Sequence, residues 1–148
     1  MVLPILERIR NEERTLSIFG ELPAPTEAKS VQIDIGLLFE GGAAGQTVFT
    51  LREPSLPELY EAIERVQTLR ADFPDVPASL GQQIAVVAAY HVEPMPKKGE
   101  EPRTVQYMQF ALKYPVQWIR LVNQFGESFP NALGGQVEEK KPTSDTTL

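Results

Sequence analysis

The chain has 148 residues, of which 42% are hydrophobic and 23% charged. That length suits one domain able to bury a core of its own. The absence of cysteine excludes disulfides, thiolate nucleophiles, thiolate zinc sites and iron–sulfur clusters, and a single histidine cannot build a two-histidine metal motif. A net charge of −6, from 14 Lys and Arg against 20 Asp and Glu, disfavours nucleic acid as a partner, because phosphate neutralisation needs concentrated cations.

Residues 4–14 read as a short helix opened by Pro4, with Ile5, Leu6 and Ile9 on one face. So narrow a face must dock or fray. Pro23 and Pro25 mark a linker, which makes residues 1–30 an N-terminal helix and Pro-rich linker. The clearest strand signal follows. Val31, Ile33, Ile35, Leu37 and Phe39 take every odd position, the period of a sheet with one buried face. Residues 41–46 form a small flexible connector and Thr47–Arg52 a second strand, together a β-hairpin. The glycines of the connector lack a following Gly-Lys-Ser/Thr and open no helix, which argues for a hairpin loop over a phosphate cradle.

Ser55-Leu56-Pro57-Glu58 is a capping box at a helix start. The helix runs to about Arg70, with Leu56, Leu59, Tyr60, Ile63, Val66 and Leu69 as its apolar stripe. A second helix spans residues 78–91. It is apolar nearly all round in its second half, so it belongs in the middle of the fold or meets a partner. Its longest apolar run, Ile84 to Tyr90, is far short of the roughly 20 residues that span a bilayer. Pro94 and Pro96 stop this helix, and residues 97–103 are a solvated, charged loop. Residues 104–112 carry both the helical and the strand period, with helix slightly favoured. Pro115 opens a last helix with Trp118, Leu121, Val122 and Phe125 on one face and Gly126 as its C-terminal cap. Residues 134–148 hold two apolar side chains and are expected to be disordered.

The layout is α+β: an N-terminal β-hairpin packed with three to four α-helices in a single domain of residues 31–133, followed by the tail. Two strands make a marginal sheet. Either Leu16–Phe19 adds a third, or strands pair between subunits and the protein is a homo-oligomer. The N-terminus shows neither the charged leader nor the long apolar stretch of a signal peptide, so the expected location is the cytoplasm.

Candidate chemistry is sparse. His91 and Glu93 could form an acid–base pair; the plainer reading is a histidine in a helix's last turn, favoured by the dipole. A serine triad finds no Gly-x-Ser-x-Gly elbow, since Ser55 is a cap and Ser79 lies in a first turn. No aspartate begins a calcium loop. The late aromatic residues Tyr107, Phe110, Tyr114, Trp118, Phe125 and Phe129 lack the basic groove that would suit nucleobases. These residues point to no catalytic, cofactor or metal site.

One stretch is familiar. The hairpin strand ending Phe49-Thr50-Leu51-Arg52-Glu53-Pro54-Ser55, then the amphipathic helix through Leu69, resembles the tail assembly chaperones of long-tailed bacteriophages. The hydrophobic helix of residues 83–92, the Lys/Glu loop and the helix opening at Tyr114-Pro115 extend the resemblance over about residues 31–128. It implies a non-enzymatic, cofactor-free protein of the host cell cytoplasm that binds the tape measure protein and recruits tail tube subunits. Such work needs exposed apolar surface on an acidic exterior. Ile84, Val87 and Tyr90 on one helix, and Trp118, Leu121, Val122 and Phe125 on the last, are the candidate contacts; the plainer use of each is core. The alternative is a virion structural subunit of a neck, tail-terminator or head-completion ring, whose hairpin pairs between neighbours.

Overall fold

The computed structural model describes residues 17–25, 27–42 and 47–133. The expected helix at residues 4–14, most of the connector at 43–46 and the tail at 134–148 lie outside them. The architecture is α+β. A three-stranded antiparallel sheet, β1 (Ser30–Asp34), β2 (Val48–Arg52) and β3 (His91–Glu93), lies against four helices: α1 (Leu56–Leu69), α2 (Ala78–Tyr90), α3 (Arg103–Lys113) and α4 (Pro115–Ser128). β2 is the central strand. Val31 pairs with Leu51 and Ile33 with Phe49 on one side; Leu51 pairs with His91 on the other.

The first strand is shorter than its alternation suggests. The Asp34 carboxylate accepts a hydrogen bond from the Gly36 amide at 3.0 Å and caps a 3₁₀ turn, Ile35–Leu38. The period-two pattern ends there. Leu38 becomes fully buried while Leu37 turns outward, the reverse of a continued strand. The glycines that follow are specific rather than merely flexible. Gly41 sits at φ +75°, where side chains are strained, and a Cβ on Gly42 would overlap the Gly36 carbonyl.

The third strand comes from the end of the hydrophobic helix, not from Leu16–Phe19. Ser17–Phe19 is a 3₁₀ turn, with Ile18 and Phe19 exposed. The helix expected to run through His91 stops at Tyr90, and His91 is already extended at φ −70°, ψ 123°. Two causes act together. Glu93 precedes a proline, which steers it out of the helical region, and Leu51 and Thr50 offer a ladder to His91 and Glu93. The third strand is thereby supplied from within the chain.

Helix starts follow local chemistry. Ser55 Oγ accepts from the Glu58 amide at 3.3 Å, and the Glu58 carboxylate accepts from the Ser55 amide at 2.9 Å. Residues 104–112 are helical because Thr104, Tyr107, Met108 and Ala111 bury one face at helical spacing. α4 passes through Gly126 instead of ending there. Phe125 is buried, Phe129 stacks on it at 5.3 Å, and Lys29 Nζ donates to the Ser128 carbonyl at 2.6 Å.

α2 is the hub. It touches α1, α3, α4 and β3, and every residue from Ile84 to Tyr90 is buried. None of the described helices is long and apolar enough to cross a membrane.

Candidate functional site

Burial decides where a partner can reach. Ile84, Val87, Leu121 and Phe125 are wholly buried, Tyr90 and Trp118 nearly so, and Val122 is partly buried against them. The Tyr90 ring meets Phe125 and Phe129 edge-on, both at 4.8 Å. Trp118 Nε1 donates to Gln83 Oε1 at 3.4 Å. The seven candidate contacts are therefore core in the folded chain. The reason is α2's central position: a helix apolar all round is enclosed by its neighbours.

The outward apolar side chains lie elsewhere. Leu112 at the end of α3, Tyr114 between the two helices, then Val116 and Ile119 on α4, are exposed, with Ile119 at 58%. Val116 and Ile119 are three residues apart and share a helix face, turned away from the Trp118–Leu121–Phe125 stripe. Leu56 and Tyr60 are likewise exposed on α1, so its buried face is narrower than the sequence stripe. Tyr114 also joins an aromatic cluster, 5.2 Å from Phe39 and 5.5 Å from Phe110.

A cleft of about 410 Å³ opens where β2, the end of β3 and α3 meet. Phe49 comes from the sheet, His91 from the helix-to-strand junction, Pro94 to Lys97 from the following loop, and Arg103, Tyr107 and Phe110 from one side of α3. His91 is 4% exposed. Its Nε2 lies 2.6 Å from the Pro94 carbonyl oxygen and its Nδ1 2.8 Å from the Tyr107 hydroxyl. A carbonyl can only accept, so Nε2 carries the proton and Nδ1 accepts from the hydroxyl. Phe49 meets the imidazole edge-on at 4.7 Å. Arg103 Nη1 donates to the His91 carbonyl at 2.7 Å.

These contacts set the ionisation. Burial holds the His91 imidazolium below its ordinary range, the nearby Arg103 cation lowers it further, and the bond to the Pro94 carbonyl opposes both. Burial pushes the Tyr107 phenol up, so it stays protonated and remains a donor. With both ring nitrogens engaged by Tyr107 and Pro94, His91 forms no acid–base pair with Glu93, which is exposed at the strand end. His91 caps the C-terminus of α2 through its amide, but burial favours its neutral form over a dipole-stabilised cation. Among the described residues no group of three or more His, Cys, Asp or Glu could hold a metal ion.

Sequence reasoning placed no function on Arg103. The available signal was a cation in the first turn of α3, where the helix dipole disfavours it; such a residue must be held by something else, here the His91 carbonyl. Val116 and Ile119 could have been noticed as apolar residues lying off the α4 stripe. Comparison of the chain with protein-family models, curated proteins and solved structures finds no match.

Proposed function

We propose that the protein is a non-enzymatic assembly chaperone of a long-tailed bacteriophage, binding the tape measure protein and tail tube subunits through its apolar outer surface. The observation that carries this reading is the exposed set Leu112, Tyr114, Val116 and Ile119, four apolar side chains within eight positions. Exposed apolar residues such as Val116 and Ile119, which share a helix face, suit docking against the apolar stripe of a helical segment. The net charge of −6 keeps the rest of the exterior well solvated. His91 supports the same reading, since its nitrogens are occupied in holding the fold. The family identity rests on the resemblance of the Leu51-Arg52-Glu53-Pro54 strand end and the helices after it.

Co-expression with the tape measure protein and tail tube subunit of the same genome tests the proposal. The wild-type chain should co-purify with the tape measure protein and be absent from finished particles. Val116→Glu with Ile119→Glu should abolish capture while leaving the circular dichroism unchanged, because both positions are solvent-facing. Recovery of the chain from purified particles as one closed oligomer would instead establish the ring-subunit alternative.

A further inference from the structure

We propose that the cleft between β2, the end of β3 and α3 binds a small aromatic anion, a flat apolar body carrying one carboxylate, with the carboxylate on Arg103. The volume of about 410 Å³ falls in the range of small-molecule sites, roughly 300–1,000 Å³. Phe49, Phe110, Ile35 and Pro94 supply apolar walls, which suit a ring.

The polar groups select the charge. His91 and Tyr107 are bonded to each other, and the second nitrogen of His91 is spent on Pro94. Gln106 Nε2 donates to the Glu101 carbonyl at 2.8 Å. Arg103 retains capacity. Its Nη1 serves the His91 carbonyl and lies 3.6 Å from Met95 Sδ; Nη2 and Nε have no acceptor among the described residues. Arg103 is partly buried, and the ion pair found among the described residues, Arg65–Glu61, does not involve it. A half-buried guanidinium with two free donor nitrogens is complementary to a carboxylate.

Arg103 also borders a second hollow lined by Glu58, Glu61 and Arg65, and the acids near it already have partners, Glu61 pairing with Arg65 at 2.9 Å. Glu100, on the cleft rim, accepts from the Lys97 amide at 2.8 Å. Glu58, whose charge interacts with Arg103, accepts from the Ser55 amide and hydroxyl. Along the cleft wall Lys97 and Arg103 face Glu100 as the single carboxylate, a positive balance in a protein of net charge −6. The proposal is independent of the chaperone reading, because none of Leu112, Tyr114, Val116 or Ile119 lines the cleft.

Titration of the ¹⁵N-labelled full chain with 3-phenylpropionate, and with neutral 3-phenylpropanol in parallel, tests it. The carboxylate should give saturable shifts at the Phe49, Met95, Arg103 and Tyr107 amides. It should bind at least about tenfold tighter than the alcohol and weaken as salt is raised. Arg103→Gln should reduce carboxylate binding to the level of the alcohol. That variant also loses the bond to the His91 carbonyl, so an amide spectrum unchanged at residues away from the cleft serves as its check on the fold. Equal affinity of the wild type for the two compounds, shifts confined to other surfaces, or no saturable shift from either would overturn the proposal.

Discussion

Protonating His91 would place a second N–H where the Tyr107 hydroxyl now directs its own proton, 2.8 Å away. The hydroxyl would have to rotate and find another acceptor inside a buried site. The cost appears as pH dependence. The unfolded chain takes up this proton near 6.5, whereas the folded chain resists it, because burial lowers the imidazole from that ordinary value. The stability due to neutral His91 is therefore complete above about pH 6.5 and is lost as pH falls through 6.5 toward the folded value. As the chain has one histidine, its C2–H resonance can be followed without assignment. The expected titration midpoint lies below 6.5, and the melting temperature should fall between pH 7.5 and 5.5 with a slope that His91→Gln flattens. A midpoint above 6.5 would mean that the Pro94 carbonyl bond outweighs burial.

Gly126 lies inside α4, and a Cβ built on it meets no atom within 4 Å. Gly126→Ala should therefore stabilise the protein by about 0.5–1 kcal/mol, measured by urea denaturation; a loss of stability would mean that the helix in solution ends there, as the sequence suggested. Elements governed by neighbouring residues were legible in the sequence. The start of α1 is a local exchange between Ser55 and Glu58, which the Ser-x-x-Glu spacing announces by itself. α2 was rightly expected to be enclosed or partner-facing, because its apolar residues leave no wet side. What failed depended on groups meeting across the fold. β3 has three residues, too few to show a period. The early end of β1 is the exception, since it turns on a contact two residues long, from the Gly36 amide to the Asp34 carboxylate. The cleft unites residues from β2, β3 and α3 that no spacing rule connects. Its key cation, Arg103, is held by a carbonyl twelve residues back.

A single core joins every layer. The sheet contributes Ile33 and Leu51, the 3₁₀ turn Leu38, and the helices Val66, Ile84, Met108, Leu121 and Phe125. Distant pieces are tied by side chains as well: Arg120 on α4 donates to the Leu38 carbonyl at 2.7 Å, across 82 positions of sequence. The sheet and helices should consequently unfold together. Trp118 is the lone tryptophan and lies buried within 6.3 Å of the Tyr107 ring, so its fluorescence reports the core. Denaturation followed by that fluorescence and by far-ultraviolet circular dichroism should give coincident curves. Separate midpoints would show that the layers form independent cooperative units.

α2 runs into β3 with no intervening residue, and amide hydrogen exchange should register that seam. A three-residue outer strand on its own would open and close freely, letting its amide protons wash out within seconds. Here the His91 amide donates back to the Ala88 carbonyl, so its proton belongs to the central helix although the residue belongs to the sheet. Releasing it requires unwinding the last turn of α2, whose side chains are all buried. The His91 proton should persist in heavy water about as long as those of Val87 and Ala88, at the rate set by global unfolding. Rapid loss of the His91 proton, with Val87 and Ala88 still protected, would show instead that the seam opens locally and that the outer strand detaches from the molecule while the helices stay folded.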